Sequence, residues 1–94
     1  MSDRATAQKI AAIAKVLSVD TRVRILQLLQ QQPFCVNALA ARLEVTHSAV
    51  SQHLRILRNA GLVTAEKRGY WVHYRLNEDT TRRWRDALSR LLSG

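Results

Sequence analysis

The apolar residues of this chain change their period at Gly61. Before it they recur at intervals of three and four, the spacing of a helix face. Directly after it they alternate by two, the spacing of a strand. A chain divided in this way sets a group of helices ahead of a small local sheet.

Four helical patterns precede Gly61. The first, Ala5 to Leu17, places Ile10, Ile13, Ala14 and Leu17 at i, i+3, i+4 and i+7, with Lys9 and Lys15 off the stripe. The second runs from about Thr21 to Gln31, capped by Ser18 or Asp20, with Ile25, Leu28 and Leu29 inward and Pro33 ending it. The third, Val36 to Leu43, is short and lines up Val36, Leu39, Ala40 and Leu43. Glu44 and Val45 then turn the chain, and Thr46 caps a fourth helix that continues to Ala60 and stops at Gly61.

Beyond Gly61, Leu62–Lys67 and Tyr70–Leu76 read as two strands joined at Arg68-Gly69. Tyr70, Val72, Tyr74 and Leu76 are expected to face the core, alternating with Trp71, His73 and Arg75. A last helix, roughly Thr80 to Leu92, carries Trp84, Leu88, Leu91 and Leu92 on one stripe, with Arg82, Arg83, Arg85 and Arg90 largely off it. The expectation is an α+β, mostly α fold in the order α-α-α-α-β-β-α. Its 94 residues form one domain over residues 1–94.

Charge narrows the partner. Lys and Arg number 15 against 7 Asp and Glu, a formal net charge of +8. Solubility does not require that excess, so a polyanion is the natural partner. Twelve of the 15 cations are Arg, whose planar fork suits phosphates and guanine edges. A coding bias toward Arg accounts for part of that ratio but not for the net charge. The hydrophobic fraction of 47% excludes a disordered basic tail. The longest apolar-rich stretch, Ile10 to Leu17, is broken by Lys15 and too short to span a bilayer, so no membrane partner is expected. Met1 to Arg4 opens onto an amphipathic segment rather than a secretory leader. The single cysteine, Cys35, forbids an intrachain disulfide and fits a reducing, cytoplasmic setting.

The helix from Thr46 to Ala60 has two unlike sides. Val50, Leu54 and Leu57 fall on one line. The opposite side collects Ser48, Gln52, Arg55 and Asn59, flanked by Ser51 and Arg58. Hydroxyls, an amide and guanidinium groups are what bind base edges and phosphates. An ordinary solvated face would alternate acids and bases, yet no Asp or Glu occurs from Val45 to Ala65. Residues 36–60 therefore read as a helix-turn-helix whose second helix, 46–60, lies in a DNA major groove. His47 and His53 complete its candidate contacts. The hairpin over 62–76 carries Lys67 and Arg68 at its tip, and 66–71 is expected at the backbone or in the minor groove. Tyr74 is expected to pack inward, with the roles of Tyr70 and Trp71 open.

These residues resemble a known family. The run LAARLEVTHSAVSQHLRILRNAGLV, Leu39 to Val63, is similar to the winged helix-turn-helix of the ArsR/SmtB transcriptional repressors. Its most telling piece is S-x-H-L-x-x-L at Ser51, His53, Leu54 and Leu57. Upstream, TRVRIL from Thr21 to Leu26 resembles the family's T-R-x-x-I-L, and downstream GYWVHYRL from Gly69 to Leu76 resembles its wing. The likeness covers roughly residues 5 to 92. Val19-Asp20 stands where the family commonly has Asp-Pro, and Glu44 where it often has Gly. A left-handed Glu there would cost about 1 kcal/mol relative to Gly.

The resemblance also supplies tests for an effector. Arsenic- and cadmium-sensing members carry a C-V-C pair where this chain reads Cys35-Val36-Asn37. Zinc-sensing members use His and acidic ligands on the last helix, but residues 77–94 hold no His or Cys, only Glu78, Asp79 and Asp86 as acids. His47 and His53, six positions apart, point about 120° from each other. No metal site and no cofactor are expected, and the effector is not named by the residues. Cys35 is either inert filling or a thiol sensor of oxidants or electrophiles, or an intersubunit ligand.

Ile10, Ile13, Val16, Leu17, Trp84, Leu88 and Leu91 on the two terminal helices, 5–17 and 80–92, are more apolar surface than one winged domain hides. They pack within the monomer or between two copies. The resemblance implies the second, a homodimer through the terminal helices. The combined expectation is a homodimeric repressor on double-stranded DNA with an inverted-repeat operator. The alternatives are a winged helix binding nucleic acid without sequence preference, or one binding protein. An enzyme is the least expected, because the seven acids are scattered and no nucleophile stands beside a base.

Overall fold

The structure, a computed structural model, describes residues 3–94. Met1 and Ser2, on which part of the reading of the opening segment rests, lie outside the described residues. Helix α1 (Arg4–Val16) starts at Asp3, whose carboxylate accepts from the Ala5 N–H at 3.0 Å and the Thr6 hydroxyl at 2.6 Å. The Thr6 hydroxyl first, then the Ala5 N–H, hold the Asp3 carboxyl below its ordinary value of 3.8.

Helix α2 (Asp20–Leu29) departs from expectation at both ends. Neither Ser18 nor Asp20 caps it: Val19 holds the cap position without a side-chain bond, and Asp20 is the first helical residue. The Ser18 hydroxyl donates backward instead, to the Lys15 carbonyl at 2.7 Å. Asp20 still favours the helix, since an acid in the first turn complements the dipole. The helix closes at Leu29, two residues short of Gln31.

A short strand β1 (Phe34–Cys35) follows, before α3 (Val36–Leu43) and α4 (His47–Asn59). Two residues are too few to show a period, which is why the chain order α-α-α-α-β-β-α lacks this strand. The observed order is α-α-β-α-α-β-β-α. Strands β2 (Val63–Arg68) and β3 (Trp71–Leu76) complete an antiparallel sheet of order β1-β3-β2, and α5 (Glu78–Leu92) ends the chain. Helix α5 begins two residues before Thr80, because Asn77 Oδ1 accepts from the N–H groups of Asp79 and Thr80 at 3.1 and 3.4 Å.

Ile25, Leu39, Val50, Leu54, Leu57 and Val63 are the largest fully buried side chains. They join α2, α3, α4 and the base of the hairpin into one core. The end of α4 fixes where that hairpin departs. Gly61, at φ +81°, donates to the Arg58 carbonyl at 2.9 Å, and Leu62 donates to the Leu57 carbonyl at 3.0 Å. This is the Schellman pair of bonds, with Leu57 and Leu62 supplying its buried apolar contact. Among the described residues no helix is long and apolar enough to cross a membrane.

Candidate nucleic-acid interface

The turn between α3 and α4 is closed by three successive residues. Glu44 adopts the left-handed conformation at φ 57°, reversing the chain after Leu43. Val45 donates to the Ala40 carbonyl at 3.2 Å. Thr46 is extended, and its hydroxyl accepts from the Ala49 N–H at 3.0 Å, starting α4. Helix α4 is then held by Val50, Leu54 and Leu57, each no more than 1% exposed. That anchoring turns its opposite side outward as a rigid face.

On that side His47, Ser48, Gln52, Arg55, Arg58 and Asn59 are exposed. Among the described residues, none of the side chains of Ser48, Gln52, Arg55 and Arg58 enters a hydrogen bond or ion pair within the chain. Ser51 and His53 stand apart from this group. Both are half-buried, and His53 Nδ1 is shut off from solvent without a partner. The S-x-H-L spacing sets His53 beside Leu54, so its ring turns partly toward the body.

The hairpin tip differs from the sequence reading in register. Arg68 pairs with Trp71, so the two-residue turn is Gly69-Tyr70 and not Arg68-Gly69. Gly69 has φ +62° and Tyr70 a negative φ, the sign pattern of the II′ hairpin turn. Tyr74 and Leu76 reach the core as expected. Tyr70 and Val72 do not: they are 100% and 41% exposed, because this end of the hairpin runs past the helices that cover its base. Trp71 is also exposed, at 55%. Glu66 sits 3.6 Å from Arg68 and 3.5 Å from Arg75, tying the two strands and partly neutralising Arg68. Lys67 is exposed and has no ion-pair partner among the described residues.

Cys35 is half-buried at the start of α3 and lies opposite His73 across β1 and β3, with Glu66 opposite His73 on the other side. Sequence spacing hid this row, since β1 was not legible. The row does not converge on a metal: Glu66 is drawn to two arginines. Among the described residues no group of three or more His, Cys, Asp or Glu is placed to hold an ion.

The terminal helices contact each other, but the seven residues assigned to an intersubunit layer are not equivalent. Ile13 is only 3% exposed, so it is buried within the single chain and is not left for a partner. Val16, Leu17 and Trp84 are half-buried against the core. Ile10 and Leu88 are half-open, and Leu91 and Leu92 are 57% and 79% exposed. Ile10, Ile13, Trp84, Ala87 and Leu91 line a groove of about 630 Å³ between α1 and α5.

Arg22, which in the sequence belongs to the T-R-x-x-I-L stretch, is buried and joins α2 to the end of α1. Its place in line with Ile25 and Leu29, at i, i+3 and i+7, is the signal in the sequence that marks it for burial.

The sequence profile described as "Bacterial regulatory protein, arsR family" matches residues 20–65. The chain is 36% identical over 77 residues to the arsenic resistance transcriptional regulator ArsR1 of Pseudomonas putida, an alignment covering 81% of this chain and 59% of that protein. It thus spans little more than half the length of that relative. It is 35% identical over 88 residues to the biofilm growth-associated repressor of Agrobacterium fabrum, covering 94% of this chain and 74% of that one. Among solved structures, the homodimeric winged helix-turn-helix DNA-binding domain of a possible ArsR-family regulator from Mycobacterium bovis superposes with a TM-score of 0.74. Identity there is 32%, with 99% of this chain and 87% of that one covered.

Proposed function

The chain belongs to the arsR family of bacterial regulatory proteins, and we propose on that basis that it is a cytoplasmic, homodimeric repressor of an inverted-repeat operator. One observation carries the reading. Helix α4 is fixed to the core by Val50, Leu54 and Leu57 and turns an acid-free face of unpaired polar and cationic groups outward. In a helix-turn-helix that face enters the major groove, N-terminal residues nearest the bases. Ser48, Gln52 and Arg55 are then the base readers, with His47 at the helix start. Arg58, Lys67 and Arg68 hold phosphates, while Ser51 and His53 support the helix from its half-buried edge.

Two copies present two such helices, related by a two-fold axis, to two half-sites about one helical turn apart or a small multiple of it. Ile10, Leu88, Leu91 and Leu92 are larger apolar residues of the terminal helices left open enough for a second copy. Repression follows from occupying DNA that polymerase needs. An effector would have to prefer the DNA-incompetent state, because equal affinity for both states shifts nothing.

Selection of duplexes by the intact protein from a randomised pool tests the reading. An enriched inverted repeat is the expected result. Retention of the pool without sequence enrichment would favour a non-specific nucleic-acid binder, and no retention would favour a protein-binding module.

A further inference from the structure

A cavity of about 550 Å³ lies between α2, the base of the hairpin and α5. Small-molecule sites span roughly 300–1,000 Å³, so it is large enough for a ligand. Leu26 of α2, Leu62 and Leu76 at the two ends of the hairpin, and Trp84 of α5 give it apolar walls. Leu62 is buried and the other three are half-buried. The cavity is distinct from the groove between α1 and α5. Arg85, which lines the cavity, stands about 140° around α5 from Arg90, which lines the groove. Trp84 borders both, and Leu88, open to a second copy, also lines the cavity.

The mouth of the cavity is cationic. Arg82 and Arg85 line it three residues apart on one side of α5, both exposed. Their ion-pair partners are acids of the same helix: Arg82 Nη1 is 3.7 Å from Asp79, and Arg85 Nη2 is 3.4 Å from Asp86. Exposed pairs of this kind are worth about 0–1 kcal/mol, so either guanidinium can exchange its partner for an arriving carboxylate, whose two oxygens match the fork. Glu78 lines the same mouth, exposed and without an ion pair among the described residues. The two guanidinium groups outnumber it, and the chain as a whole carries +8. Apolar walls below a cationic rim complement one class of molecule. We propose that this cavity binds a small amphipathic anion, its apolar tail against Trp84, Leu26 and Leu62 and its carboxylate on Arg82 and Arg85. The assignment does not depend on base reading by α4, and its test uses no DNA.

Trp84 is the reporter. Trp71→Phe removes the other tryptophan of the chain, and the emission of the intact protein is then followed during titration. A tail packed on the Trp84 ring excludes water and shifts its emission to the blue. Decanoate is expected to produce this shift and to bind about fivefold tighter than decanol, with decyltrimethylammonium weaker than both. Arg82→Gln with Arg85→Gln is expected to lower decanoate to the affinity of decanol and to leave decanol unchanged. Because Trp84 also borders the groove toward α1, Lys9→Gln with Arg90→Gln is the control: both residues line that groove and not the cavity. That control should bind decanoate as the parent does. The four exchanged side chains are exposed, and unchanged decanol affinity identifies any loss as one of charge and not of folding. Absence of a shift with decanoate, as when a second copy covers the cavity, would overturn the assignment. Equal affinity for decanoate and decanol would overturn it too, as would tighter binding of the cation. So would a loss of decanoate binding in the Lys9 and Arg90 variant that the Arg82 and Arg85 variant does not show.

Discussion

Arg22, in the first turn of α2, donates from Nε to the carbonyl of Val16 at 2.7 Å and from Nη2 to the carbonyl of Lys15 at 3.3 Å. Those carbonyls belong to the last turn of α1, where unsatisfied acceptors and the negative end of the helix dipole favour a cation. The guanidinium is 9% exposed at the residue level, so it is the link that sets α1 against α2.

Arg22→Ala is accordingly expected to destabilise the fold by about 1.5–3 kcal/mol, the range for a hydrogen bond to a charged group, chiefly through loss of the bond to the Val16 carbonyl, since the Lys15 carbonyl keeps the Ser18 hydroxyl. Arg22→Lys should recover only part, since an ammonium cannot present the same fork. Urea unfolding midpoints check both.

Glu44 carries strain that glycine would remove. A non-glycine residue in the left-handed region costs about 1–2 kcal/mol, and glycine's freedom in the unfolded chain returns about 0.5–1 kcal/mol of that. Glu44→Gly is expected to stabilise by about 0.5–1 kcal/mol, read as a higher melting temperature. Operator affinity should hold, because Thr46 rather than Glu44 starts α4.

Ile13 and Leu91 should separate folding from assembly. Ile13→Ala removes a buried side chain and is expected to cost about 2–4 kcal/mol of stability. Leu91→Glu, at a position 57% exposed, should leave the unfolding of the single chain nearly unchanged and weaken self-association. Sedimentation velocity at micromolar concentration, beside thermal melts, distinguishes the two.

Cys35 tests whether the thiol is more than packing. It is half-buried, and its row with His73 and Glu66 holds no converging ligand set. Cys35→Ser is expected to bind DNA as the parent does, before and after treatment with hydrogen peroxide. A peroxide response in the parent that the variant lacks would assign Cys35 a sensing role.

Much of this molecule was legible in its sequence for definite physical reasons. Helix α3 has the predicted bounds, because apolar spacing marks its face and Cys35 and Glu44 interrupt it at either end. Helix α4 starts from Thr46 and stops at Gly61 because both terminal signals are local chemistry: a hydroxyl acceptor and a residue free to take positive φ. What failed to show depended on distant residues. Strand β1 exists only through its pairing with Tyr74 and His73, nearly forty residues on. Alternation around Tyr70 and Val72 points to the core, but period two identifies only opposite faces and not how far the covering helices extend. In the candidate site, residue types pointed to α4, whereas the half-burial of His53 and the pairing of Arg68 with Glu66 required the fold.

In the function proposed above, α4 reads bases while the wing holds the backbone. Equilibrium titration of Gln52→Ala, Arg55→Ala and Arg68→Ala on the selected operator and on a random duplex of equal length tests it. Gln52→Ala and Arg55→Ala are each expected to lose about 1–3 kcal/mol on the operator and much less on the random duplex. Arg68→Ala should lose similar amounts on both, with a flatter salt dependence. Equal losses on operator and random duplex for all three variants would contradict a base-reading α4.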